Sequence, residues 1–397
     1  MRLLCFLLAG CRIANAQPLT PAWVELGASG ALARIIVNRP QDCPSIQIDG
    51  RRSTMSLREP VPDGLRPACE FAVPPGAQSA SVEGQALVLP RANPSHIVVF
   101  GDTGCRIKGE RVQDCNDPAK WPFQTVATQA ASEKPQLMIH VGDYLYRESP
   151  CPAGSESECG GTPAGDNWEA WKADFFTPAA KLLAAVPWAF SRGNHETCDR
   201  SWRGWFYYLD PRPFKAFCER YSQPYLIKLG AFELAMIDSA PVIEDQLDQE
   251  QVDEYARQLE SLHVANAWLV AHHPFWGFKA GADDGPPRPI SVPLAAAWEK
   301  AKPSGIHLVL AGHIHLFELV RFDRGRPPQI VAGDGGTDLA MPIRTSMNGS
   351  QVHGASVVTS GSEHEFGYTM FTKESAGWTL TLKSRSGNAL FTYQLPK

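Results

Sequence analysis

His96-Ile97-Val98-Val99-Phe100-Gly101-Asp102-Thr103-Gly104 reads as a buried strand that stops at a turn carrying a carboxylate. The run from Ile97 to Phe100 is wholly apolar, so both of its faces are expected to be covered. Glycines on either side of Asp102-Thr103 then end the strand. The same pattern recurs downstream: apolar runs at 137–141, 187–190, 234–237, 268–271 and 306–311 each end at a polar or glycine-containing turn. Between them, 119–132 and 245–262 carry apolar residues at three- and four-residue spacing and read as helices. Buried strands flanked by helices imply an α/β architecture, in which ligands gather at the carboxyl ends of the strands.

Five of these strand ends carry groups that bind hard metal ions. They are Gly101-Asp102-Thr103-Gly104, Gly142-Asp143-Tyr144-Leu145-Tyr146, Gly193-Asn194-His195-Glu196, His272-His273-Pro274 and Gly312-His313-Ile314-His315. Each alone is an ordinary turn or loop. Together they bring carboxylate, phenolate, amide and imidazole groups to successive strand ends, where a parallel sheet gathers distant residues on one edge.

Beyond His315 the pattern returns to strands at 317–322, 368–371, 378–382 and 389–394, which are expected to build a second sheet. The Ser-, Gly- and Thr-rich stretch 345–361 reads as a loop. Upstream, from residue 22 to 89, short apolar stretches such as Ala33-Arg34-Ile35-Ile36-Val37 alternate with turns and no amphipathic helix appears. Pro90-Arg91-Ala92-Asn93-Pro94 interrupts that pattern. The expected organisation is therefore an export signal over 1–16, a small β-sandwich-like domain over 17–92 and a catalytic domain over 93–397.

A chain of 397 residues with 44% hydrophobic and 20% charged residues has the composition of a folded globular protein with a sizeable core. A formal charge of −5, with no long Lys/Arg run, provides no broad surface for a polyanion, so no nucleic-acid scaffold is expected. Met1-Arg2 followed by apolar residues 3–9 resembles an export signal too short to span a bilayer. Two cleavage sites compete: Leu8-Ala9-Gly10-Cys11 looks like a lipobox, which would attach the chain to a membrane through a lipid on Cys11, and Ala14-Asn15-Ala16 looks like an ordinary signal-peptidase site. The expected location is periplasmic, lipid-anchored or extracellular. Either cut leaves eight cysteines, and their short spacings favour neighbour pairing: Cys43 with Cys69, Cys105 with Cys115, Cys151 with Cys159, Cys198 with Cys218.

The five motifs resemble those of the metallophosphoesterase (calcineurin-like) superfamily, and specifically its purple acid phosphatase branch, over 97–322. That branch carries D-x-G where most of the superfamily has D-x-H, and G-D-x-x-Y where a tyrosine replaces the missing histidine. Asp102-x-Gly104 and Asp143-x-x-Tyr146 show both departures. The resemblance implies a four-layer α/β/β/α sandwich following the small N-terminal all-β domain. It also implies that Asp102, Asp143, Tyr146 and His315 bind a first metal, and that Asp143, Asn194, His272 and His313 bind a second, with Asp143 bridging. His272 is chosen because the family's ligand stands two residues before the proline. The family's V-x-x-H pattern, set on Val270, selects His273 instead, so both stay open.

A tyrosinate is a hard donor suited to a trivalent ion, so the implied pair is Fe(III) with Fe, Zn or Mn. Two cations about 3.5–4 Å apart can bind a phosphate oxygen and activate a hydroxide, which makes hydrolysis of phosphomonoesters the expected reaction and a small phosphoester the expected partner. A phosphodiesterase or nucleotidase would use the same site, and a surface lipoprotein that only binds is the non-catalytic alternative. By resemblance His195 contacts the phosphoryl group or protonates the leaving alkoxide, with Glu196 orienting it, and Asp143 completes the catalytic pair. Arg106, Lys108, Arg147, Arg192, Arg203, Trp202 and Trp205 lie near the motifs and are candidates for substrate contact.

Overall fold

Successive residues of a strand point to opposite faces, and here the two faces of each central strand feed different cores. Ile97 and Val99 enter one apolar core while Val98 and Phe100 enter another. Leu137 and Ile139 likewise oppose Met138, and Trp268 and Val270 oppose Leu269. This double burial explains the unbroken apolar runs. The structure, a computed structural model, describes residues 18–282 and 285–395. The export signal, the lipobox and Cys11 lie outside the described residues. Among the described residues no helix is long and apolar enough to cross a membrane.

Two large sheets stack face to face. The first has ten strands in the order Ala389–Gln394, Gly377–Ser384, Gly367–Glu374, His96–Phe100, Leu137–His140, Trp188–Phe190, Trp23–Gly27, Gly30–Ile36, Ala68–Val73 and Ser56–Leu57. His96–Phe100, Leu137–His140 and Trp188–Phe190 run parallel, with Ile97 opposite Leu137 and Met138 opposite Trp188. The second sheet has eight strands: Tyr225–Leu229, Phe232–Met236, Ala267–Val270, Ile306–Ala311, Gln329–Ala332, Phe317–Phe322, Ala355–Glu363 and Gln351–Val352. One core lies between the sheets; Phe123–Ser132 and Thr177–Leu183 cover the first sheet outside, and Gln249–Ser261 and Val292–Ala301 cover the second. The result is the expected α/β/β/α sandwich.

Helix boundaries follow local chemistry. Pro122 precedes the first turn of Phe123–Ser132, which shortens the expected 119–132 helix. The Asp248 side chain accepts the Gln251 N–H and starts Gln249–Ser261.

Two expectations change. Part of the stretch 345–361, placed in a loop by composition, belongs to the strand Ala355–Glu363, which pairs antiparallel with Phe317–Phe322. Its Ser and Thr residues sit half-buried, and a neighbouring edge decides pairing where propensity does not. The C-terminal strands do not build the second sheet together, because Gly367–Glu374 pairs antiparallel with His96–Phe100 in the first.

The N-terminal segment is all β, and a four-stranded sheet (Arg51–Thr54, Ser45–Ile48, Ala80–Val82, Gln85–Ala86) packs on it through Ile46, Ile48, Val24 and Ile35. Its other layer is continuous with the large sheet: Trp23–Gly27 runs parallel to Trp188–Phe190, with Glu25 opposite Trp188. Buried cations lock this junction. Arg34 donates to the Tyr208 carbonyl at 2.7 Å and Arg58 to those of Phe206 and Asp210 at 3.0 Å, at the end of the helical turn Trp205–Leu209. The Trp205 to Tyr208 aromatics are therefore core residues. Four disulfides join Cys43 to Cys69, Cys105 to Cys115, Cys151 to Cys159 and Cys198 to Cys218, the neighbour pairing that the spacings favour. Such a set is typical of chains that fold in oxidising surroundings.

Candidate metal centre

Asp102, Asp143 and His313 each follow a glycine just beyond the end of a strand, and all three adopt left-handed backbone, at φ 55°, 61° and 71°. Such conformations are costly away from glycine and cluster where a site demands them. The bends come just after His96–Phe100, Leu137–His140 and Ile306–Ala311, so the Asp102, Asp143 and His313 side chains lie beyond the strand ends. Close approach does the rest: a Cβ on Gly193 would lie 2.1 Å from Asp143 Oδ1, and one on Gly142 (φ 103°) 2.5 Å from His272 Nδ1.

The donor atoms form two groups that share Asp143. In one, Tyr146 Oη lies 2.7 Å from Asp143 Oδ2, 3.0 Å from Asp102 Oδ1 and 3.0 Å from His315 Nε2. In the other, Asn194 Oδ1 lies 3.0 Å from His272 Nε2 and 2.9 Å from His313 Nδ1, and His272 Nε2 is 3.2 Å from Asp143 Oδ2. The structure thus brings together all seven residues expected to hold metal. Of the adjacent histidines, His272 faces both Asn194 and Asp143. His273 stacks 4.0 Å from the His313 ring and leaves Nδ1 buried without a hydrogen-bond partner.

The histidines are aimed from behind. His272 Nδ1 meets the Val141 carbonyl at 2.8 Å, His315 Nδ1 the Asp338 carbonyl at 2.8 Å, and His313 Nε2 the Glu244 carboxylate at 2.8 Å. Each partner can only accept, so each outer nitrogen carries a proton, and the inner one is the nitrogen left to bind a cation in place of any proton it holds. Glu244 had no signal in the sequence, since it lies in the segment before Gln249–Ser261, remote from every motif.

Electrostatics point the same way. Burial, then Asp102 and Asp143, push the Tyr146 phenol well above its usual range. Burial would lower His272, yet Asp143 and Asp102 outweigh it and lift the imidazole to about 9. Two carboxylates, a phenol and three inward imidazoles packed this closely suit cations, with the oxygen-rich group fitting a hard ion and the nitrogen-rich group a softer one. Asp102, Asp143 and His272, and separately His272, His273 and His313, bring ligand atoms within 4.8 Å of one another.

His195 is beside this centre. Its ring centre lies 3.7 Å from that of Tyr146, its backbone N–H donates to Asp143 Oδ1 at 2.8 Å, and its Nδ1 lies 2.8 Å from Glu148 Oε1. The expected orienting role of Glu196 does not hold. That carboxylate is turned inward and accepts the N–H groups of Asp143, Tyr144, Leu145 and Gly193, fixing the loop rather than the imidazole. Glu148 takes the place beside His195, two residues after Tyr146, close enough to the motif that its type and position offered a signal. A cavity of about 450 Å³ opens at His195, lined also by Lys108, Glu148, Asp166, Asp199 and Arg200.

The substrate candidates sort by their partners. Arg147 is held by Asp174, Arg192 by Asp238 at 3.0 Å, Arg203 by Asp166 at 3.4 Å and Lys108 by Glu148 at 3.0 Å. Trp205 is core, and Trp202 packs against the same core. Arg106 remains at the centre, over the Tyr146 ring.

Residues 95–317, more than half of the chain, match the family model described as calcineurin-like phosphoesterase. Among solved structures, a purple acid phosphatase, PPD1 from yellow lupin (Lupinus luteus) seeds, superposes with a TM-score of 0.62 at 14% identity, covering 94% of this chain and 73% of that one. PhoD superposes with a TM-score of 0.52 at 12% identity, covering 96% and 89%. At such identities the likeness is one of fold. No curated protein matches in sequence.

Proposed function

The chain belongs to the calcineurin-like phosphoesterase family, and we propose that it is a dinuclear metal-dependent hydrolase of phosphomonoesters of the purple acid phosphatase kind. The observation that carries this reading is the Tyr146 hydroxyl, 3.0 Å from both Asp102 Oδ1 and His315 Nε2. A phenolate among these donors favours a trivalent ion, here Fe(III), held by Asp102, Asp143, Tyr146 and His315. Asp143, Asn194, His272 and His313 would hold a second ion, Fe, Zn or Mn. Bound there, two cations supply positive charge to a phosphoryl group and acidify water.

The chain's own groups do the rest. Val141, Asp338 and Glu244 keep the three imidazoles in one tautomer. Burial lowers the proton affinity of His195, and Asp143 and the Glu148 carboxylate, 2.8 Å from Nδ1, oppose it by favouring the imidazolium, the form in which Nε2 would carry a proton for the departing alkoxide. The cavity at His195 has room for the alcohol portion of a small substrate. We further propose that the protein is exported, as its four disulfides suggest, with no nucleic acid as partner.

Metal analysis of the purified protein, combined with a panel of phosphomonoesters and phosphodiesters, tests this. Two metals per chain with preferential monoester turnover is the expected result. Faster diester turnover would replace it with a phosphodiesterase, and metal-loaded protein inert across the panel would point to a binding protein.

A further inference from the structure

Arg106 is only 8% exposed, yet among the described residues it forms no ion pair with a carboxylate. Its Nε is buried without a hydrogen-bond partner, and Nη2 comes no nearer than 3.5 Å to the ring nitrogens of His315, too long for a strong bond. The guanidinium lies 4.7 Å from the centre of the Tyr146 ring. The other three arginines near the motifs, 147, 192 and 203, are each neutralised by an aspartate.

The chain holds Arg106 firmly. Its backbone N–H donates to Gln113 Oε1 at 3.1 Å, and Gln113 is itself tied to the carbonyls of Lys120 and Gly336 at 2.9 Å. The hairpin Ile107–Lys108 with Arg111–Val112 follows, and the Cys105–Cys115 disulfide closes it. Arg111, on the second strand of that hairpin, feels the Arg106 charge: burial first, then that charge, lowers its proton affinity. The charge of Arg106 also acts on Asp338, whose proton affinity burial raises and the guanidinium lowers in part. A buried cation without a counter-ion is costly unless an anion arrives to pair with it. A planar guanidinium offers two parallel N–H groups, the geometry that matches a phosphoryl group.

We propose that Arg106 is the oxyanion receptor of this centre. It binds the phosphoryl group of a dianionic phosphate monoester through its guanidinium, and the disulfide-closed hairpin keeps it in place. The inference rests on the phosphoesterase reading above and deepens it, because a guanidinium held over Tyr146, with no carboxylate among the described residues to neutralise it, favours a dianionic monoester over a monoanionic diester.

Inorganic phosphate is the probe, titrated calorimetrically into the full chain with its metals as purified, for wild type, Arg106→Gln and Arg106→Lys. Loss of a charged hydrogen bond predicts phosphate binding weaker by about tenfold to a hundredfold in Arg106→Gln and a smaller loss in Arg106→Lys. Metal content and melting temperature are expected to stay at wild-type values, and the monoester-to-diester ratio of kcat/KM to fall. If Arg106→Gln does not fold, Arg106→Lys alone decides, by weakened phosphate binding at unchanged metal content. Phosphate affinity within twofold of wild type in every variant that folds overturns the role of Arg106 while leaving the phosphoesterase reading intact. A wild-type protein that neither binds phosphate nor hydrolyses any ester overturns both.

Discussion

The hydroxyl of Tyr146 stands 2.7 Å from Oδ2 of Asp143, three residues before it, and 3.0 Å from Oδ1 of Asp102, 44 residues away in the chain. Burial, and then the two carboxylates, hold the proton on the phenol, and a strongly charged cation is what reverses that preference. With Fe(III) bound, the pure protein is expected to show a visible charge-transfer band that disappears in Tyr146→Phe. The phenylalanine ring keeps the packing against His195, so the melting temperature should change little. Active protein that is colourless and iron-free would reject the iron assignment.

Asp143 touches both donor groups. Asp143→Ala is expected to abolish turnover and lower metal content from two per chain to one or none, as read by elemental analysis. Retention of both metals would refute a bridging role.

Glu244 fixes the tautomer of His313 and is itself paired with Lys279. Removing such an outer partner weakens metal binding by about 10–100-fold. Glu244→Ala should therefore lose the second metal in competition with a chelator while keeping the visible band of the first. Simultaneous loss of both metals at one chelator concentration would show that Glu244 acts on the whole fold instead.

Glu25 is fully buried, and burial outweighs the Arg34 and Arg58 charges to raise its carboxyl from 4.5 to about 7. A group whose pKa is raised by folding contributes stability that is complete below its unfolded value of 4.5 and lost as pH rises through about 7. The shift corresponds to roughly 3 kcal/mol. Wild type is thus expected to lose stability between pH 4.5 and 7 relative to Glu25→Gln, which has no proton to release. Parallel urea-denaturation curves for the two proteins over that range would contradict it.

Cys11 offers the simplest test of anchoring. Should it carry a lipid, Cys11→Ser will shift the product from the membrane to the soluble fraction; an unchanged distribution would favour cleavage after Ala16.

Much of the site was legible because its chemistry is local. Asp143-x-x-Tyr146 holds two donors on one turn, and His313-x-His315 holds two more, so their spacing alone marks them. The disulfides were legible for the same reason, with partners 8 to 26 residues apart. Strand 355–363 was not, because its Ser and Thr residues carry no periodic signal and its place depends on the edge of Phe317–Phe322.

By itself, then, the sequence determined the central buried strands and the order of the metal-binding motifs and favoured the disulfide pairing that forms, since each depends on residues close together in the chain. Only the tertiary structure decided that His272 rather than His273 faces Asp143, that Glu148 and not Glu196 meets His195, and that Trp23–Gly27 extends the catalytic sheet. It also decided that Arg147 has a carboxylate and Arg106 has none at ion-pair distance among the described residues. The physical reason is common to all four: a side chain's direction and its counter-charge come from segments far away in sequence, which packing brings together and no local pattern records.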